Sequence, residues 1–144
     1  MLFKLISIGR FKDRHLQAKA EEFLKWLSPY AKVELLELRD STKEKESQAI
    51  LKALDKSKEF VIVLSEEGRE CTSVEFAGLL NRIDRKITFV IGGPYGMTPE
   101  LKAQADLLLS LSKLTFTHEM ARLFLLEQLY RAISITNGGK YHNI

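Results

Sequence analysis

LLLSLSKLTFTHEMARLFLLEQLYRA, residues 107–132, is the stretch on which the fold turns. It begins with three leucines, Leu107–Leu109, an apolar run of the kind that makes a fully buried strand. The polar segment Ser110-Leu111-Ser112-Lys113 interrupts that run, and a long helix starts at Thr117. Met120, Leu123, Phe124 and Leu126 are spaced for a core, while Leu125, Leu129 and Ile133 widen the stripe beyond an ordinary amphipathic arc. A helix that is apolar on two faces meets its own sheet with one of them and needs a second surface for the other. The simplest second surface is a copy of itself.

Upstream, the same reading repeats as a strand–helix alternation. Leu2–Ile8 is a strand closed by Gly9; Asp13 caps a helix whose face is Leu16, Ala20, Phe23, Leu24 and Leu27, with Pro29 just past its end. Val33–Leu38 forms a second strand, and Ser47–Leu54 carries the apolar spots of a second helix whose first turns, Lys43 to Glu46, are charged. Phe60–Leu64 is a continuous apolar run that stops at Ser65-Glu66-Glu67-Gly68, as expected of a buried parallel strand. Thr72 or Ser73 opens a third helix (Val74, Phe76, Ala77, Leu79, Leu80, Ile83). Ile87–Ile91 is a fourth strand, ending in Gly92-Gly93-Pro94-Tyr95-Gly96, and Thr98-Pro99 caps and starts a short helix. The order βαβαβαβαβα predicts a three-layer α/β/α fold with a mostly parallel sheet, in one domain over residues 1–144.

With 144 residues and one cysteine, Cys71, the chain has enough length for a core of its own and no partner for an internal disulfide, as suits a reducing cytoplasm. No apolar run reaches the roughly 18 residues of a membrane span. The N-terminus, MLFKLISIGRFKD, reads as a strand rather than a signal peptide, because Lys4 breaks the apolar run and no small-residue cleavage site follows. The net charge of +3 permits a phosphate-bearing partner without demanding one. The excess is concentrated early: Lys4, Arg10, Lys12, Arg14 and Lys19 stand against Asp13 alone in residues 1–20. Such a cluster is either a solvated surface or an RNA-facing patch.

Ligands of open parallel sheets bind beyond the C-terminal strand ends. Three such ends are unusual here: Leu64–Gly68, Ile91–Gly96 and Ser110–Phe116. The glycines let backbone groups approach a ligand. However, the loop has neither the Gly-Lys-Ser/Thr ending of a P-loop nor G-x-G-x-x-G spacing, and a tight connection would look the same. Thr117, His118, Glu119 and Arg122 start the last helix, with His118 and Arg122 one turn apart on a shared face. Glu127 and Arg131 read as a structural pair. Cys71 has no histidine near it in sequence and reads as a bystander thiol. His15, His118 and His142 lack metal-ligand spacing, so no metal is expected. Ser65 and Ser73 lie in no nucleophile elbow.

FVIGGPYG, LSLSKLTFTHEMARLFLLEQLYRA and the terminal Tyr141-His142 together resemble the signature segments of the bacterial large-subunit (23S) ribosomal RNA pseudouridine-N3 methyltransferases, of the SPOUT or α/β-knot superfamily. The resemblance covers essentially the whole chain. It implies a C-terminal segment tucked through a loop as a trefoil knot, an exception to the usual rule against knots. It also implies an S-adenosylmethionine cleft at Leu64, Gly92, Gly93 and Gly96 and along Leu111, Ser112, Lys113, Leu114, Thr115 and Phe116. The last helix becomes a homodimer interface, and the partner is 23S rRNA within the large subunit or the 70S ribosome. His118, Arg122, Tyr141 and His142 are then the candidates for removing the N3 proton or stabilising the resulting anion, with the tail acting across the dimer. The family tail continues Tyr-His with a basic residue, whereas Asn143 and Ile144 follow here, leaving Lys140 as the nearest substitute. Two other readings stay open: a knotted tRNA methyltransferase, and a non-catalytic ribosome- or RNA-binding α/β module.

Overall fold

A computed structural model describes residues 1–143, so the last position of the tail, Ile144, lies outside the described residues. Five strands, β1 (Leu2–Ile8), β2 (Lys32–Leu38), β3 (Glu59–Arg69), β4 (Lys86–Ile91) and β5 (Leu107–Leu109), alternate with five helices. The helices are α1 (Arg14–Leu27), α2 (Lys43–Ala53), α3 (Ser73–Arg82), α4 (Pro99–Ala103) and α5 (His118–Thr136). Every strand pairing is parallel, in the order β2-β1-β4-β3-β5.

The period-two alternation of the strands divides the core in two. Phe3, Leu5, Ile62, Leu64, Ile87, Phe89 and Ile91 face α1, α3 and α5, whereas Ile6, Ile8, Val61, Val63 and Val90 face α2 and α4. Side-chain oxygens fix the helix starts: Asp13 caps α1, Thr42 caps α2, Thr98 caps α4 and Thr117 caps α5. Between the two candidates for α3, the cap is Thr72, which forms a reciprocal capping box with Glu75.

Three expectations need correction. β3 does not stop at Leu64 but continues through the Ser-Glu-Glu-Gly segment to Arg69, with a register shift between Leu64 and Arg69, both opposite Leu109. β5 is an edge strand in which only Leu109 is buried, so Leu107 and Leu108 are half-covered. The face of α5 turned to the sheet is Leu125, Leu126, Leu129, Ala132 and Ile133, together with Arg122. Met120, Leu123 and Phe124 are only half-buried. Burying each large aliphatic side chain of that inner face contributes roughly 1.5–3 kcal/mol, so α5 is a principal anchor of this layer.

Candidate active site at the C-terminal edge of the sheet

The second half of β3, the loop following β4, the segment after β5 and the first turn of α5 converge on an open cleft of about 640 Å3. Leu64, Ile91, Met97, Leu111, Leu114 and Phe116 give it apolar walls, with Ser65, Glu66, Glu67, Lys102, Ser112, Thr115, Thr117 and His118 as its polar lining. Gly92, Gly93 and Gly96 lie along it. Gly96 has φ 83°, a left-handed conformation that favours glycine, and its N–H donates to the Gly93 carbonyl at 3.1 Å. This tight turn is what the three closely spaced glycines achieve.

The far wall braces itself. Ser110 Oγ donates to the Ser112 carbonyl at 2.8 Å, and the Leu114 N–H donates to Ser112 Oγ at 3.0 Å. The Thr115 hydroxyl donates to the Glu66 carboxylate, linking the post-β5 segment to the end of β3. Of the ten positions expected to meet a cofactor, nine line this cleft. Lys113 does not: its side chain is 83% exposed and points toward Glu70, 3.7 Å away.

The four candidate catalytic residues occupy separate places in the single chain. His118 lines the cleft. Arg122 is buried, with Nη1 donating to the Gly9 carbonyl at 3.2 Å, Nη2 on Glu37 at 2.5 Å, and the guanidinium stacked 4.1 Å over the Phe11 ring. Tyr141 and His142 pack on the outer face of α5. The Tyr141 hydroxyl donates to Glu127 at 2.7 Å, and its ring meets Tyr130 edge-on with centroids 4.9 Å apart. Burial, reinforced by the neighbouring Glu127 carboxylate, pushes the Tyr141 phenol up to about 12, so it is a neutral donor at ordinary pH. Arg131 donates to Glu127 at 2.6 Å and lies 2.9 Å from His142 Nδ1. Since a guanidinium only donates, Nδ1 accepts, and a neutral His142 ring carries its proton on Nε2. The expected Glu127–Arg131 pair is therefore also the clamp that seats the tail. Burial pushes the Cys71 thiol up, away from nucleophilic reactivity.

Sequence reasoning missed Glu46. Its charged neighbours, Lys43, Glu44 and Lys45, suggest a solvated helix start, yet Glu46 is 2% exposed and packs beneath the glycine loop. A methyl group built on Gly93 would sit 3.0 Å from its Oε1. Oε2 accepts the Ser41 N–H at 2.9 Å, while Oε1 has no hydrogen-bond partner among the described residues. A buried acceptor left unmatched costs about 1–3 kcal/mol. Glu46→Gln keeps the Ser41 bond through its amide oxygen but puts an NH2 group where Oε1 lacks a partner, and is expected to change stability by less than about 1 kcal/mol. Glu46→Ala orphans the Ser41 N–H, opens space under Gly93, and is expected to cost about 2 kcal/mol. Urea midpoints of the two variants test the contrast.

The family model described as "Predicted SPOUT methyltransferase" matches residues 1–142. The chain is 40% identical to the ribosomal RNA large subunit methyltransferase H of Pseudothermotoga lettingae, over 99% of both chains. It is 48% identical to the protein of that name from Synechococcus, over 96% of this chain and 92% of the other. The solved structure of a probable methylase family protein from Haemophilus influenzae matches with a TM-score of 0.58 at 16% identity, covering 99% of this chain and 70% of that one. That last likeness concerns the fold alone. On a family match running from the first strand through the tail, this chain belongs to the SPOUT methyltransferases.

Proposed function

We propose that this protein transfers a methyl group from S-adenosylmethionine to N3 of a pseudouridine in 23S rRNA, acting in the cytoplasm as a homodimer on the large subunit or the 70S ribosome. The observation that carries the reading is the cleft itself. The second half of β3, the glycine loop after β4 and the segment after β5 make an apolar-walled site, and among the described residues the ionisable ring lining it, His118, belongs to the helix that follows. Its size falls in the range of small-molecule sites. The residues present fit the cofactor. Leu64, Ile91, Leu111, Leu114 and Phe116 suit an adenine ring, the glycine loop brings backbone close to the ligand, and Glu66, held by Thr115, puts negative charge beside a cationic ligand, whereas Glu67 is paired with Lys102.

S-adenosylmethionine would supply an already activated methyl group, so the protein's own contribution is positioning and proton management. The imide N3–H of pseudouridine is a poor nucleophile until its proton leaves. His118, lining the cleft, takes that proton. His142, presenting Nε2–H, stabilises the negative charge that develops on the base, and Tyr141 holds the tail through Glu127. Arg122, tied to Gly9 and Glu37, positions the start of α5 rather than touching the substrate.

The dimer has its own support. On the α1/α5 side, Trp26 and Tyr130 pack with centroids 5.4 Å apart, Tyr130 meets Tyr141, and Met120, Leu123 and Phe124 remain half-covered. A second copy on this face would cover them and bring its tail toward a cleft that, among the described residues, this chain's own tail does not line. The knot is supported by the close passage of Gly68 along the backbone of Leu108 and Leu109, and by the Ser110 N–H donating to the Arg69 carbonyl at 2.9 Å.

The test is transfer of labelled methyl to assembled ribosomes, free large subunits and naked rRNA from cells lacking the enzyme. Label on a pseudouridine of 23S rRNA is expected, and only in assembled particles. Label on tRNA would move the activity to that substrate. No label, with cofactor bound, would overturn catalysis and leave a binding module.

A further inference from the structure

The segment between β1 and α1, Gly9–Asp13, is fastened to the start of α5 at several points. Glu119 accepts the backbone N–H groups of Lys12 at 3.0 Å and Asp13 at 3.2 Å. One turn on, Arg122 donates to the Gly9 carbonyl and stacks on Phe11. Glu119 is the neighbour of His118, so these bonds hold the loop beside the cleft. Held this way, Arg10, Lys12 and Arg14 stay exposed. Arg39, just past the end of β2, joins them on the same edge of the sheet, because Gly9 N–H donates to the Leu38 carbonyl at 2.7 Å.

The acids of this neighbourhood are mostly committed elsewhere. Asp13 accepts from the first turn of α1, Glu119 from the loop backbone, and Glu37 from Arg122. Asp40 alone remains, lying over Gly9. Among the described residues, none of Arg10, Lys12, Arg14 and Arg39 has a carboxylate within ion-pair distance. Of the early cluster, Lys4 is paired with Glu59 and Lys19 with Glu22, which leaves Arg10, Lys12 and Arg14, joined by Arg39, as free cations anchored next to the reaction site.

We propose that Arg10, Lys12, Arg14 and Arg39 form the surface that grips the RNA phosphate backbone and presents the target base to the cleft. The inference rests on RNA being the substrate. A rigid loop carrying unpaired cations matches the evenly spaced negative charge of a nucleic acid strand, and each phosphate contact releases counterions. Arg10 and Arg14 bring planar donor forks suited to phosphate oxygens.

The experiment measures binding of the full-length protein to naked 23S rRNA and to large subunits across a salt series, alongside cofactor affinity and thermal midpoint. The triple variant Arg10→Glu, Lys12→Glu, Arg14→Glu is compared with Lys32→Glu, Lys52→Glu, Lys58→Glu, which changes the same charge on exposed residues around the opposite edge. The first is expected to lose about 10- to 100-fold in RNA affinity and to lower the salt slope by about 2–3, with cofactor affinity unchanged. The control triple should stay within about threefold of the parent. Equal losses in both triples would reduce the effect to net charge and overturn the proposal, as would an unchanged salt slope in the first. Binding to acidic lipid vesicles that vanishes in the first triple while RNA affinity holds would overturn it as well. A parent protein that binds cofactor but no RNA would instead overturn the substrate reading beneath it.

Discussion

Gly68→Ala is expected to destabilise the protein by about 3 kcal/mol, a fall of roughly 10 °C in thermal midpoint. An ideal Cβ at Gly68 would lie 2.6 Å from the carbonyl carbon of Leu108 and 2.7 Å from its oxygen and from the Leu109 nitrogen. All three are backbone atoms of β5, so no rotamer change can relieve the overlap. The chain must separate instead, and separation disturbs the Ser110-to-Arg69 hydrogen bond and the register that brings Arg69 opposite Leu109. The φ of Gly68 is not in the left-handed region, so the cost is one of contact rather than backbone strain. Gly78 provides the comparison. It lies within α3 with nothing within 4 Å of its ideal Cβ, and Gly78→Ala is expected to stabilise by up to about 1 kcal/mol. A Gly68→Ala protein melting within about 2 °C of the parent would show that β3 and β5 do not pass so closely. Because Leu111 and Ser112 follow directly from this crossing and line the cleft, the variant should also bind cofactor more weakly.

The contrast between these glycines shows where sequence is informative and where it is silent. Phe60–Leu64 and Ile87–Ile91 were legible as buried strands because central strands of a parallel sheet are apolar on both faces. The extension of β3 to Arg69 was not, since Ser-Glu-Glu-Gly has turn chemistry and is held in extended form only by β5, about 40 residues on. The inner face of α5 was also misjudged: with apolar residues nearly all round, periodicity cannot choose a side, and tertiary packing chose the one that includes Arg122. Arg122 is buried because Gly9, Glu37 and Phe11, far away in sequence, supply its partners. The cleft was legible as three strand ends with unusual loops. Glu46 was not, because a charged helix start gives no sign that one of its carboxyl groups will be covered by a glycine loop.

Deleting Tyr141–Ile144 is expected to reduce methyl transfer by about 10³-fold or more while cofactor affinity changes less than about threefold. Among the described residues, the tail contributes nothing to the lining of its own chain's cleft, so removing Tyr141–Asn143 takes nothing from the cofactor's walls. What is lost is the polar set held on the outer face of α5: His142 against Arg131, and Tyr141 against Glu127 and Tyr130. Losing the aromatic and cation–π contacts of Tyr141 should cost about 1–2 kcal/mol of stability. Two point variants separate seating from chemistry. Tyr141→Phe keeps the ring packing and loses one hydrogen bond, and since the phenol stays protonated at ordinary pH it removes no base; a loss of about tenfold or less is expected. His142→Ala removes the Nε2–H donor and should account for most of the effect of the deletion, with a midpoint near that of the parent. Single-turnover transfer to assembled ribosomes, together with calorimetric titration of the cofactor, measures both quantities. If the truncated protein lost cofactor binding along with transfer, the tail would belong to the cofactor cleft and its assignment to the RNA-facing chemistry would be wrong. Mixing the truncated protein with an otherwise intact His118→Ala variant carries the test to the dimer. Recovery of up to about a quarter of the parent activity, the share expected of one complete site per mixed dimer when half of the dimers are mixed, requires that tail and cleft come from different chains.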